Sequence, residues 1–575
     1  MKKILLALLA LPSAALSPAA AEAQERAARE IPTAVRFDVR QEVYIYNVSG
    51  NDEMSTLSAG DYYNTSVNWA ARKIYADTSR FEFFTNVRMT DDFSLEPSHG
   101  EDPHILRFLT RYSKPDHYEF SLGDIYANYS SYALSRSLEG LSYWHWFDGD
   151  RQGEETLHLD TANFTLARVH EERGQTQYDR HAGAGRLGAQ YGDNWSLLLD
   201  LARTWDDENS NRSALVSPID NWVWSLHGAV EDLSWGYLRY LNARFELGYS
   251  TLDPDTSTSS GSELNDYACK FTMAGRLARS RWGLSYEYIK PDFYSAVGSA
   301  SPDSQLVRGY GRLPVLPWLT ARLDYRQYRD NLDGQLNTTT KSRAPGLSFD
   351  ILNIPALTAL HPKWRGLSFR VGSAFNTTEA NDNSIDRLRS IYSIAANYFI
   401  RQFNIGLEYA FTDMDDDIAP TSSYHQNATG VNISWSGVRI NDMMRISPLL
   451  SSTYNRQKSD TTLNSYWSHY LALNSTIGRT TRLNLRYDVR QLDTETKREL
   501  EIDMEASIAN DYLLEEATSA DTDSNGLSAE LIHRLEKLGG AEISVLYNRR
   551  ANSFDYDRRD YDEEIFLATL RIPLW

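Results

Sequence analysis

Apolar and polar residues alternate along most of this 575-residue chain, and the alternation is plainest in a phrase written three times. The phrase is Arg-x-Asp-x-Arg-Gln, beginning at Arg36, Arg322 and Arg486. In an extended strand successive side chains point to opposite faces. Each copy therefore sets a plus, minus, plus ladder on one face (Arg36, Asp38, Arg40; Arg322, Asp324, Arg326; Arg486, Asp488, Arg490) and apolar or aromatic groups on the other. A sheet built from such strands has one greasy wall and one charged wall.

The same period recurs elsewhere. Val35, Phe37, Val39, Val43 and Ile45 oppose Arg36, Asp38, Arg40 and Glu42, while Phe81, Phe83, Val87 and Met89 oppose Arg80, Glu82, Asn86 and Arg88. Helical periodicity of comparable length is scarce. The best candidates for helices are Ala229 to Asn242 and Lys497 to Glu515. Length alone suggests three or four domains, but no Pro-rich, Gly/Ser-rich or single-charge linker divides the chain, and one large closed sheet also accounts for its length.

Met1-Lys2-Lys3, the apolar run Ile4 to Leu11 and the small residues ending Ala21-Glu22-Ala23 have the order of a secretory signal peptide. The expected organisation is a signal at 1–23, a short periplasmic segment at 24–33 and a transmembrane β-barrel at 34–575. No later apolar run is long enough for a spanning helix. The mean hydropathy of −0.50 does not argue against a membrane, because a barrel alternates lipid-facing and lumen-facing residues. A single cysteine, Cys269, excludes a disulfide-stapled framework. The net charge of −20 argues against a nucleic-acid partner.

Connections alternate too. Short links at Asp77 to Arg80, Lys114 to His117, Gly192 to Asn194, Gly478 to Thr481 and Gly539-Gly540 are separated by longer polar ones. The longer set is Ser49 to Asp61, Asp91 to Pro103, Asp206 to Ser217, Asp253 to Asn265, Asp330 to Lys341, Thr377 to Asp386, Asp413 to Ser423 and Asn552 to Asp560. Short turns at one end and long loops at the other are the rhythm of an outer-membrane barrel, with both termini on the short-turn, periplasmic side. The strand count comes to about 26, within a range of 22–28, and the stretch from Asn128 to Gly185 is the hardest to divide.

The final segment, Glu564 to Trp575, resembles the last strand of Gram-negative outer-membrane β-barrels, which end on an aromatic residue read by the assembly machinery. Its apolar parity runs Phe566, Ala568, Leu570, Ile572 and Leu574, leaving Arg571 and Pro573 on the other face. The resemblance implies an all-β, porin-like antiparallel barrel in the outer membrane, with outer-membrane lipid, lipopolysaccharide and, through Trp575, the assembly machinery as partners.

Several readings of function stay open. Lipid excludes charges from the outer wall near the midplane, so Arg36, Asp38, Arg40, Arg80, Glu82, Arg88, Arg322, Asp324, Arg326, Arg486, Asp488 and Arg490 are expected to line the pore. There they could select ions, or pair with one another and stiffen the wall. Gly123-Asp124-Ile125-Tyr126, followed by Arg136 and Gly140, breaks the clean alternation. An ordinary strand relieved by glycine is the first reading, and a bulge or an inward-folded constriction loop the second. Acidic clusters mark Asp206 to Glu208, Asp413 to Asp417 and Glu515 to Asp523. Of these, Asp521-Thr522-Asp523-Ser524-Asn525-Gly526 begins like a calcium loop but has Ile532 at its twelfth position, so a solvated turn is expected.

No catalytic signature, metal site or cofactor motif is present, which points away from an enzyme. Because the readable strands begin at Val35 with no plug domain before them, passive passage of a solute is expected rather than energised uptake. The first rival is a barrel sheathing a lumen-filling partner protein, as porin–cytochrome conduits do; the chain resembles these in size, strand richness and lack of haem motifs. A soluble secreted all-β binding protein is the second rival.

Overall fold

Main-chain pairing follows the alternation around a complete circle. The computed structural model describes residues 34–50, 59–91, 103–147, 156–169, 178–210, 217–257, 263–459, 462–496, 522–536, 540–554 and 560–574. Twenty-six antiparallel strands form the wall, from Ala34–Gly50 to Tyr561–Leu574, and a two-residue strand at Val438–Arg439 sits in one turn. Each strand pairs with its neighbours in sequence, and the first pairs with the last from Phe37 opposite Leu574 to Gly50 opposite Tyr561. The sheet therefore has no free edge, which is what a membrane without water to satisfy backbone groups demands. Twenty-six strands about 4.8 Å apart and tilted about 40° enclose a cylinder about 50 Å across.

Residues paired directly across strands share a face, so parity can be followed around the barrel. One face carries exposed Val35, Val43, Phe164, Leu166, Leu197, Leu247, Leu323, Ile394, Leu471 and Phe566. Burying this belt requires lipid. The other face carries Asp38, Asn64, Thr165, Asp200, Ser250, Asp350 and Asp488, all buried.

Short turns such as 115–117, 192–194 and 236–237 lie at the end that holds Ala34 and Leu574, and most long connections lie at the other. Two departures stand out. The connection 353–366 at the short-turn end carries a helix at Pro355–Leu360 and a 3₁₀ turn at Pro362–Gly366. At the opposite end Thr377 to Asp386 narrows to five residues, because the strand Leu367–Ala380 runs further than its sequence suggests.

The helix expected at Ala229 to Asn242 is instead the lower part of a hairpin. Ala229 pairs with Arg244 and Val230 with Ala243, and the chain reverses at Gly236. Its apolar residues stand on two strands rather than one helical stripe. The other expected helix, 497–515, lies outside the described residues, as do the signal segment and Trp575. From Thr522 onward the calcium-like stretch is drawn into a strand, Thr522–Leu535, instead of the expected solvated turn, and alternate side chains diverge there. No cluster of metal-ligating groups occurs among the described residues.

Candidate functional site

One hairpin leaves the wall. Strands Tyr118–Ser130 and Leu134–Trp146 pair with each other almost to their tip, but the first holds its wall neighbour only up to Gly123 and the second only from Leu138. Residues 124–137 thus have each other and no wall strand. Two glycines make the departure possible. Gly123 has φ of +111°, and a Cβ there would stand 2.1 Å from the Phe108 carbonyl oxygen. At Gly140 a Cβ would meet the Leu166 carbonyl oxygen at 2.3 Å and the Ala167 Cα at 2.4 Å. Asp124 secures the branch point by accepting the Phe108 N–H at 2.5 Å.

The tip lies flat against the concave face. Ile125, Ala127, Tyr129, Tyr132, Ala133, Leu134 and Leu138 are buried there against Ala167, Ala182, Ala184, Ala202, Val223 and Ala268. The wall beneath is built from small side chains because a second layer must fit on top of it. Thr165, Ala184, Ala202, Val223 and Ser250 are register partners in five consecutive strands. Reaching both Thr165 and, six strands on, Glu287 is possible only by a chord across the inside of the cylinder. This establishes which face is inner.

Polar anchors fix the tip. The Glu246 carboxylate accepts the Ser131 hydroxyl at 2.8 Å, the Tyr132 N–H at 3.2 Å and the Ser225 hydroxyl at 3.3 Å. Tyr132 donates its hydroxyl to Glu287 at 3.3 Å and packs edge-on against Phe293. Below Tyr129 lies the Arg186 guanidinium, 5.3 Å from the ring centroid. Arg186 donates twice to the fully buried Asp200, at 2.6 and 2.8 Å, and His227 Nε2 stands 2.6 Å from the same carboxylate. A buried charge left single would be costly, and this carboxylate has two partners.

A second segment, the connection 290–303, folds in beside the first. Phe293 and Val297 are buried in it. Its backbone meets the hairpin through Ser135 N–H to the Val297 carbonyl at 3.0 Å and Ser299 N–H to the Ser131 carbonyl at 2.8 Å. Asn221 on the wall clamps it, donating to the Tyr294 carbonyl and accepting the Ala296 N–H. Hairpin tip and loop together make an inner layer over the strands from Leu157 to Ile289.

All twelve charged residues singled out from sequence lie on this same inner face by register, none of them under the inner layer. Their pairing differs among the three ladders. Asp488 sits 3.4 Å from Arg486 and 3.7 Å from Arg490, so that ladder pairs internally. Asp38 meets Arg36 at 3.3 Å but is held more closely by Arg571 of the last strand at 2.5 Å, and Arg40 pairs with Glu42. In the middle copy Arg322 bypasses Asp324 and takes Asp350 at 2.5 Å, which Arg370 shares at 2.8 Å. Glu82 meets Arg72 at 3.2 Å.

Sequence reading missed the anchors. Glu246, Asp200, Arg186 and His227 stand on ordinary alternating strands, and nothing local marks them as lying beneath a second layer. The glycines at 123 and 140 were the one available signal, and they resolve in favour of the inward-folded reading over the ordinary strand.

A closed antiparallel wall with a lipid-ready exterior and both ends of the strand order on the short-turn side defines a large outer-membrane β-barrel. No protein-family model matches the chain, and no curated protein does. Among solved structures it is similar to the translocation pore of the P pilus usher PapC, at 12% identity and TM-score 0.23, covering 95% of this chain and 100% of that one. It is also similar to the outer membrane transporter YddB from Escherichia coli, at 10% identity and TM-score 0.44, over 94% and 80% of the two chains. A third is OpdK from Pseudomonas aeruginosa with vanillate, at 10% identity and TM-score 0.28, over 69% and 99%. Likeness at this level concerns architecture and carries no functional argument.

Proposed function

We propose that this barrel is a passive, porin-like channel whose solute path runs beside the inner layer, along the charged part of the wall. The observation that carries this reading is the hairpin tip 124–137, which leaves the sheet and is fixed over one arc of the inner face. A barrel about 50 Å across would be far too wide to leave clear, and an inward layer held by Glu246, Glu287 and Asn221 narrows it. The remaining arc carries the ladder residues as pore lining, mostly in mixed-sign pairs that keep the local field moderate. No catalytic step is assigned to it. Outer-membrane lipid surrounds the barrel, lipopolysaccharide contacts its loops, and Trp575 presents the assembly signal.

Planar-bilayer recording of the purified barrel tests this. A stable single-channel conductance is expected, rising when residues 126–135 are replaced by a short glycine linker. A silent barrel that co-purifies with a stoichiometric second protein would overturn the channel in favour of a sheath.

A further inference from the structure

We infer that the arc formed by strands Ser304–Leu316, Leu319–Asp330 and Thr340–Leu352 holds a weak binding site for a small polycarboxylate, a substrate class that rests on the channel reading above. Arg308 stands directly opposite Arg326, and Arg312 directly opposite Arg322, on the inner face of adjacent strands. Like charges directly opposed in a sheet are destabilising. Here two such pairs are stacked, one row above the other.

Their countercharges do not balance them. Among the described residues Asp350 is the one carboxylate paired with this group, and it serves Arg322 while Arg370 draws on it from the far side. Among the described residues no carboxylate lies within ion-pair distance of Arg308, Arg312 or Arg326, and all three are exposed. The self-pairing that satisfies the ladder around Asp488 is absent here. Two guanidiniums side by side in a row are a recognition device for carboxylates, which a guanidinium meets with two parallel hydrogen bonds.

The spacing restricts the ligand further. The two arginine rows are four residues apart along each strand, about 13 Å, whereas the two arginines of one row are direct cross-strand neighbours about 5 Å apart at Cβ, so a solute with carboxylates at the two ends of a short chain can engage both members of one row at once. Beside them, with Asp324 in its lining, is a basin of about 280 Å³ floored by Ala344, Gly346, Ser348, Gly372 and Ala374, where small side chains leave room for the uncharged body of such a solute. Asp324 lies between the rows, opposite Tyr310. Its negative charge lowers the affinity of the site, as conduction requires, because a channel must release what it binds.

Titration calorimetry in nonionic detergent reads the site without depending on conduction. Tricarballylate is expected to bind about tenfold more tightly than acetate, and Arg308→Gln/Arg326→Gln to lose most of that preference. Arg312→Gln/Arg322→Gln should act likewise, whereas Asp324→Asn should tighten binding. Folding of each variant is checked by heat-modifiable migration, and removing opposed like charges should not harm it. Equal binding of tricarballylate and acetate, or unchanged preference in both double variants, overturns the site. In planar bilayers, tricarballylate should block the wild-type current more than acetate. A barrel that binds tricarballylate but never conducts overturns the channel reading alone, and one that conducts without binding overturns this site alone.

Discussion

The Asp38 carboxylate of the first strand accepts hydrogen bonds from Arg571 of the last strand, at 2.8 Å from Nε and 2.5 Å from Nη2, across the seam where the barrel closes. Asp38 is almost wholly buried, while Arg571 is half exposed. The pair joins residues 533 positions apart and lies among the main-chain bonds of the closing strand pair.

Breaking the seam pair should cost stability. Because Arg571 remains half in solvent, the loss expected for Asp38→Ala is that of a charged hydrogen-bonded group, about 1.5–3 kcal/mol, rather than that of a deeply buried ion pair. Urea titration of the folded barrel in micelles measures it. A variant indistinguishable from wild type would mean the backbone ladder alone closes the barrel.

Restoring side chains at the hairpin branch point should force the tip off the wall. Gly123→Ala introduces a β-carbon at a positive φ and against a carbonyl oxygen, and Gly140→Ala drives one into the neighbouring strand. Each is expected to destabilise by about 1–3 kcal/mol. Thermal unfolding followed by circular dichroism gives the value; unshifted midpoints for both would contradict the inward branch.

The Glu246 anchor can be tested separately. Glu246→Ala strips the Tyr132 N–H and the Ser131 hydroxyl of their acceptor, a penalty of about 1–3 kcal/mol falling on the tip rather than on the wall. Trypsin added to reconstituted vesicles should then cleave after Arg136 in the variant, leaving the rest of the barrel intact. Equal resistance in variant and wild type would show that apolar packing of Tyr132 and Leu134 suffices.

A pH-sensitive tether links two long-loop connections. Asp382 is held down to about 2 by the Ser384 hydroxyl, by the Thr338 hydroxyl donating at 2.5 Å and by the Ser384 N–H at 3.0 Å. A carboxylate lowered in the folded state contributes above its ordinary titration range and loses that contribution as pH falls through the folded value. Loop pairing should therefore persist through pH 4 and fail near pH 2. Carboxylate NMR on aspartate-labelled protein, with Asp382→Asn for assignment, reports the midpoint. Thr338→Ala should raise it, and a wild-type midpoint near 4 would refute the tether.

The strand architecture was legible in the sequence because strand parity is a local property. Whether Phe37 and Arg36 face opposite ways depends only on extended backbone, and so does the outward parity of Phe566 and Leu570 in the closing strand. Alternation, the rhythm of short and long connections and the preference for an even number of strands were enough to set a closed barrel of about 26 strands with its apolar face in lipid. Glycines at 123 and 140 marked an interruption, but alternation could not reveal that the strand beyond Gly123 changes its neighbour. Ile125, Ala127 and Tyr129 alternate as they would in the wall, yet they are buried against Ala167 and Ala184 on its inner surface. Nor could it assign charge partners. Asp38 finds Arg571 and Arg322 finds Asp350 because strands meet side by side in space, where an ion pair is decided by a few ångströms that sequence separation does not encode.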